Sequence, residues 1–328
     1  MNDADKPEAG RFIRPQDLDN AQRTTLGARI GWGFEAFAWD WVFWNPMKAL
    51  PIETASGAVA NILKTLGPLT SQHRTMVRNL RMAFPDWNEK QVQDVARGTW
   101  ETLGRTAGEM PHLAKMKPYV ANSRVEVVGA ERLDAIRESG KPAVLIGGHF
   151  ANWEVMASAI CNRPLDAQIT YRSANNPYID RRIAEARHAY GINVLTPKGA
   201  GTRELMRALS RGQPIALMND QKFNQGIAVP FFGHDAMTAP GPTRLAMKFK
   251  APLVPFSCKR IGPARYRVTV HEPFLPDTNP DEDKAIYNTV LRINQWTEAC
   301  IRDAPDQWFW MHNRWPKEAW AKAGVMER

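Results

Sequence analysis

Residues 144–154 read Val144-Leu145-Ile146-Gly147-Gly148-His149-Phe150-Ala151-Asn152-Trp153-Glu154. The uninterrupted Val, Leu and Ile are the pattern of a strand buried on both faces. Gly147-Gly148 then lets the backbone turn sharply. Asn152 suits a helix N-cap, which places Glu154 in the first turn of the helix that follows. A buried strand passing through a tight loop into a helix is one unit of an α/β fold. The same grammar recurs from residue 124 onward. Strands are expected at 124–128, 143–147, 168–171, 192–195, 214–218, 252–258 and 265–271. Helices are expected at 131–139, 152–161, 177–190, 201–211, 240–250 and 282–303. The alternation predicts a central, largely parallel or mixed sheet flanked by helices.

Upstream the period is helical. Val59, Ile62, Leu63 and Leu66 share one face of a helix that Gly67-Pro68 breaks. Residues 73–83 and 89–110 read as two more helices, separated at Pro85-Asp86. The expected organisation is a polar, partly disordered lead-in at 1–28, an N-terminal helical segment at 29–117, and an α/β core at 118–328. The start, Met1-Asn2-Asp3-Ala4-Asp5, is acidic where a secretory signal is basic, so the chain is expected to stay on the cytosolic side.

Residues 30–52 crowd Trp32, Phe34, Phe37, Trp39, Trp41, Phe43 and Trp44 together. Glu35 and Asp40 interrupt the stretch, and a central Asp costs about 2.5–3.5 kcal/mol on insertion scales, which disfavours a membrane span. On a regular helical wheel Trp32, Trp39 and Phe43 fall on one side and Phe37, Trp41 and Trp44 on another. The two readings are a Trp-rich segment at a bilayer surface and an aromatic helix packed on the protein's own core.

The chain has 328 residues, 44% of them hydrophobic and 23% charged, which excludes a wholly disordered chain, collagen and a polytopic membrane protein. Its net charge of +9 calls for an acidic partner. The excess is local. Between Arg172 and Arg267 there are 16 Lys and Arg against 5 acids. The three cysteines, Cys161, Cys258 and Cys300, lack the spacing of a disulfide framework or a zinc site and read as inert thiols.

Ligands of open α/β sheets bind beyond the carboxyl ends of the strands. There, His149 and Glu154 make a histidine–carboxylate pair of the kind that works as a general base, and the adjacent helix N-terminus offers donors to an oxyanion. The spacing alone is weak, arising by chance about 0.7 times in such a composition, and a purely structural His149 is the competing reading. Tyr171-Arg172, with Asn175-Asn176-Pro177, and Asn219-Asp220-Gln221-Lys222 close other strands, where ordinary loops and salt bridges are the commoner outcome. Val229-Pro230-Phe231-Phe232-Gly233 reads as an apolar loop, and Gly199-Ala200-Gly201 as a turn leading into a helix. There is no G-x-S-x-G elbow, no P-loop and no H-E-x-x-H.

Together the stretches at 147–154, 171–177, 219–221 and 229–233 resemble the bacterial lipid A late acyltransferases, the lauroyl and myristoyl transferases of the lysophospholipid acyltransferase superfamily. Arg78-Asn79-Leu80-Arg81-Met82-Ala83-Phe84-Pro85 and the run from Ala304 to Trp315 agree with it, so the resemblance covers roughly residues 50–316. It implies transfer of an acyl chain from acyl carrier protein, or acyl-CoA, to a hydroxyl of a phosphorylated lipid acceptor, without cofactor or metal. His149 would be the general base and Glu154 its orienting carboxylate. Arg172, Asp220 and Gln221 would bind acceptor phosphates or order the pocket. Asn176 and Gly233 in the matching stretches, and Lys222 beside Gln221, complete the expected substrate-binding set. The expected location is the cytoplasmic face of the bacterial inner membrane, peripheral or monotopic, against an anionic membrane surface and with no nucleic acid. Family members usually carry an apolar N-terminal anchor, which Glu35 and Asp40 spoil here. The rival readings are an acyltransferase for another lipid (a lysophospholipid, glycolipid or aminolipid), a thioesterase, and a non-enzymatic basic binding protein.

Overall fold

The computed structural model describes residues 26–163, 165–171, 174–192, 195–197 and 202–325. Most of the expected lead-in, Arg172 and the Gly199-Ala200-Gly201 turn lie outside the described residues.

The N-terminal part is helical: α1 (Leu26–Ala38), a π-helical stretch at Trp39–Trp44, α2 (Asn45–Ala49), α3 (Ile52–Leu66), α4 (Ser71–Ala83) and α5 (Glu89–Glu109). The start of α5 is a complete capping box, with Asn88 and Gln91 each satisfying the other's backbone N–H. The core then alternates as β1 (Val125–Val128), α6 (Glu131–Ser139), β2 (Val144–Gly147), α7 (Trp153–Cys161), β3 (Gln168–Tyr171), α8 (Pro177–Ala189), β4 (Leu195–Pro197), α9 (Thr202–Ser210) and β5 (Ile215–Met218). It continues with β6 (Ile227–Phe231), β7 (His234–Thr238), α10 (Gly241–Phe249), β8 (Leu253–Gly262), β9 (Arg265–Val270), α11 (Glu282–Asp303) and α12 (Lys317–Lys322).

Seven strands form one sheet in the order β1-β9-β8-β2-β5-β3-β4. Every neighbouring pair is parallel except β8–β9, which a short turn joins antiparallel. Parallel neighbours need crossover connections, and the helices expected between the strands supply them. The sheet buries both faces. Leu145, Ala216 and Val254 pack against α6 and α7, whereas Val144, Ile146, Ile215 and Leu253 pack against α9, α10 and α11. Residues adjacent along a strand thus serve opposite layers.

Two parts depart from expectation. Residues 227–238, read in part as an apolar loop, form the antiparallel hairpin β6–β7. Its two-residue turn, Phe232-Gly233, has positive φ at both positions (+50° and +75°), the geometry that matches strand twist and favours Gly. Burial alternates along the hairpin: Val229, Phe231, Ala236 and Thr238 are buried, on the side covered by α11 and the C-terminal tryptophans, and Ala228 and Asp235 are exposed. Those tryptophans, Trp308, Trp310, Trp315 and Trp320, share a core with Met76 and Leu80 of α4 and Trp100 of α5. The two ends of the described chain therefore enclose the sheet's partner layer jointly.

The second departure is the aromatic stretch. The π-helical stretch alters the regular wheel locally: Trp44, expected on the side of Phe37 and Trp41, is buried. Ile30, Phe34, Phe37 and Trp41 form an outward stripe, with Phe34 74% and Trp41 63% exposed. The two interrupting acids face the protein. Glu35 accepts from the Asn176 amide at 2.9 Å, and Asp40 pairs with Arg182 at 3.0 Å. No helix among the described residues is long and apolar enough to cross a membrane.

Candidate active site

β2 and β5 are parallel neighbours with Gly147 opposite Met218. Two residues beyond each lie His149 and Asp220, so the register itself brings them together. Asp220 Oδ1 is 2.8 Å from His149 Nδ1, and Asp220 Oδ2 accepts the His149 backbone N–H at 2.7 Å. The indole N–H of Trp308 donates to the same Oδ2 at 2.8 Å. Asp220 is only 3% exposed. Burial by itself would raise its pKa. The positive charge of protonated His149 and the three donated hydrogen bonds overcome that and hold it at about 2. An ionised carboxylate can only accept, so Nδ1 carries the proton, and the neutral imidazole keeps its basic lone pair on Nε2. Trp153 and Phe309 flank the ring, with centroids 5.4 and 6.0 Å away.

The loop that carries His149 is built to close tolerance. A Cβ on Gly148 would lie 2.6 Å from the Phe150 ring and 3.2 Å from Asp220 Oδ2. Gly148 is therefore required chiefly by the Phe150 ring, with the Asp220 carboxylate a further tight neighbour. Ala151 sits at φ +45°, a strained value for a residue with a side chain. It is held there because its N–H donates to Gln307 O at 2.5 Å and its carbonyl accepts from Thr106 at 3.1 Å. Behind it, the fully buried Glu109 accepts from Ser56, Asn152, Arg260 and Tyr266. Asn152 occupies the N-cap position of α7, yet its side chain makes no cap bond and donates to Glu109 instead.

Glu154 stands in the first turn of α7, as expected, and is 4% exposed. Its carboxylate grips Arg187 of α8, with Arg187 Nε 2.8 Å from Oε2 and Nη2 2.6 Å from Oε1. The carboxylate hydrogen-bonded to the His149 ring is thus Asp220, and Glu154 is a bidentate clamp between α7 and α8. A sequence reading favours the carboxylate near in sequence, whereas strand pairing favours the one near in space.

The other expected residues divide. Gln221 and Lys222 line, with His149, a mostly apolar cavity of about 400 Å³ completed by residues such as Leu205, Leu217 and Leu245. Asn219, buried in the same wall, has no hydrogen-bond partner for either amide atom among the described residues. Asn176 caps α8 by accepting from the Tyr178 and Ile179 amides, and it donates to Glu35 and to the Trp32 carbonyl of α1. Gly233 is at the tip of the β6–β7 hairpin.

His312 and Trp308 were not singled out from sequence. His312 Nε2 accepts the Lys222 backbone N–H at 2.6 Å. Burial drops its pKa to about 4, so the ring is neutral and acts as an acceptor. Lys222 and His312 also line a second, more polar cavity of about 550 Å³ with Ser71, Thr75 and Asn224. The only sequence signal for these residues was their place in the matching C-terminal run. Burial leaves the thiols of Cys161, Cys258 and Cys300 at about 12, which makes them inert.

The described residues thus place a histidine–aspartate pair beside a mostly apolar cavity at the carboxyl end of a parallel sheet. Comparison with known proteins gives the class. The family model for bacterial lipid A biosynthesis acyltransferases matches residues 35–317, and the chain belongs to that family. It is an acyltransferase. It is 23% identical to a lipid A biosynthesis acyltransferase of Haemophilus influenzae, over 89% of this chain and 95% of the relative. It is 27% identical to the lipid A biosynthesis lauroyltransferase of Escherichia coli, over 72% of this chain and 76% of the relative. It is 26% identical to a phosphatidylinositol mannoside acyltransferase of Mycolicibacterium smegmatis, over 66% of this chain and 72% of the relative.

Proposed function

We propose that this chain transfers a fatty acyl group from an acyl-carrier-protein or acyl-CoA thioester to a hydroxyl of a lipid A precursor, with His149 as general base. The observation that carries the proposal is the His149–Asp220 pair on the wall of the apolar cavity. The acyl chain occupies that cavity, and the polar head of the acceptor uses the neighbouring polar cavity, with Lys222 between them. His149 Nε2 takes the acceptor hydroxyl proton as its oxygen bonds to the thioester carbon. The resulting oxyanion is met by donors at the start of α7 and by the Asn219 amide. The C–S bond then breaks, and the thiolate recovers the proton from His149. Asp220 stabilises the transient imidazolium and keeps Nδ1 protonated, the part expected of Glu154. Such positioned proton transfer is worth about 10²–10⁴ in rate.

The exposed stripe on α1, which presents Phe34 and Trp41 outward while its acids are tied inward, supports peripheral attachment at the cytoplasmic face of the bacterial inner membrane. The similarity to a phosphatidylinositol mannoside acyltransferase supports a second reading, in which the acceptor is another glycolipid. Purified protein given labelled acyl-carrier-protein thioester and separate vesicles of a lipid A precursor, a phosphatidylinositol mannoside or a lysophospholipid distinguishes these. Acylation of the lipid A precursor, abolished by His149→Ala, is the expected result. Acylation of only another lipid favours the second reading, and thioester cleavage with no acylated lipid overturns both.

A further inference from the structure

The positive segment between Arg172 and Arg267 is not uniform in space. On α8 its charges are neutralised: Arg181 and Arg182 pair with Glu185, Arg182 also with Asp40, and Arg187 with Glu154. On α9 and α10 they are not. Arg203, Arg207 and Arg211 on and just after α9, and Arg244, Lys248 and Lys250 on and just after α10, are all exposed. They form no ion pair among the described residues. Glu204 is the one acid in these two segments. The helices adjoin, because the Lys248 ammonium reaches the Met206 thioether at 3.8 Å. Their inner sides supply Leu205, Pro242 and Leu245 to the wall of the cavity shared with His149.

We infer that this α9–α10 face docks an acidic protein that delivers the acyl thioester to the cavity beneath it, an inference that rests on the transfer reaction proposed above. Each helix is about 13 Å long, so the patch is broad enough for a macromolecule. Six like charges on two adjoining helices, with Glu204 the one acid among them and no ion pair among the described residues, are best explained by a partner of opposite charge. A bilayer fits less well. Neither segment has a large exposed apolar side chain, whereas α1 and the π-helical stretch after it have Phe34 and Trp41. Moreover, α9 and α10 pack on the sheet face opposite to the one carrying α7. Glu154 and Arg187 link α7 to α8, and α8 in turn holds α1. The apolar stripe and the basic face therefore belong to opposite layers.

The test is charge reversal away from the cavity wall, with Arg207→Glu/Lys248→Glu and, separately, Arg203→Glu/Arg211→Glu. KM is measured with acyl carrier protein carrying the acyl group and with a neutral acyl-pantetheine thioester. Electrostatic steering changes association by about 10–10³-fold, so the KM for the carrier-borne thioester should rise at least tenfold and lose most of its salt dependence. Transfer from the pantetheine thioester should stay within about twofold, and so should binding to anionic phospholipid vesicles. Equal losses with both donors, or no loss with the carrier, would overturn the inference. Loss of vesicle binding with intact carrier kinetics would assign the face to the membrane instead and also overturn it. Equilibrium binding of acyl-loaded carrier protein, measured without acceptor, separates this inference from the reaction it rests on. Tight binding that charge reversal abolishes upholds the docking face even if no acyl group moves.

Discussion

Two regions flank His149 with buried carboxylates and use them differently. At the end of β5, Asp220 spends both oxygens on His149 and Trp308. At the start of α7, Glu154 spends both of its oxygens on Arg187. In the reaction proposed above the first region is electrostatic, because its charge would stabilise an imidazolium. The second is mechanical, because its ion pair fastens α7 to α8, and α8 holds α1 through Asn176–Glu35 and Arg182–Asp40. Proximity in sequence to a histidine is thus a poor guide to its hydrogen-bond partner when the histidine sits in a loop between parallel strands.

Substitutions can break this contrast. His149→Ala should lower the transfer rate by about 10³-fold or more in steady-state assays, with the thermal unfolding midpoint retained. Asp220→Asn should lower kcat by about 10²–10⁴, because an amide can donate to Nδ1 and favour the wrong tautomer. Glu154→Gln should act on the fold instead, costing roughly 3–5 kcal/mol in denaturant unfolding because Arg187 remains buried without its counter-charge. The double substitution Glu154→Gln/Arg187→Met should recover much of that stability and most of the activity. If it is stable yet inactive, Glu154 takes part in the chemistry and the contrast collapses.

Smaller effects sharpen it. Phe34→Ser should weaken binding to phospholipid vesicles by about tenfold or more, since burying one large apolar side chain is worth about 1.5–3 kcal/mol. Turnover of a soluble donor and acceptor should be unchanged. His312 contributes through pH. Its folded pKa of about 4 is below the ordinary 6.5, so it adds stability that is fully present above pH 6.5 and is lost as pH falls towards 4. Replacing it with Asn should flatten the rise of stability across that window in urea titrations at successive pH values.

Much of the core was legible because it is written locally. The apolar run of β2 and the alternation from residue 124 located the strands to within a few residues, and the two glycines marked the loop that carries the base. The strand at 192–195 begins in part outside the described residues and is observed at Leu195–Pro197. The β6–β7 hairpin was missed because its exposed positions are not uniformly polar (Ala228) and Pro230 interrupts the strand pattern, so the sequence does not alternate although the burial does. Which aromatic side faces outward was not legible, because Ile30, Phe34, Phe37 and Trp41 keep regular helical spacing and the inward side is chosen by contacts distant in sequence, Glu35 with Asn176 and Asp40 with Arg182. Asn176 was expected near substrate and is instead occupied by α8 and α1, which no local pattern announces.

The sequence by itself determined the fold class, the histidine and the loop that presents it, because these depend on neighbours along the chain. Only the tertiary structure decided which carboxylate serves His149. That depends on β5 lying beside β2 with Gly147 opposite Met218, a pairing between residues 71 positions apart. It likewise decided which positive charges are paired among the described residues, since contacts within α8 and from Asp40 and Glu154 neutralise those of α8, and none reaches those of α9 and α10. Charge can be counted from sequence, but its neutralisation depends on distances of a few ångströms that only packing sets.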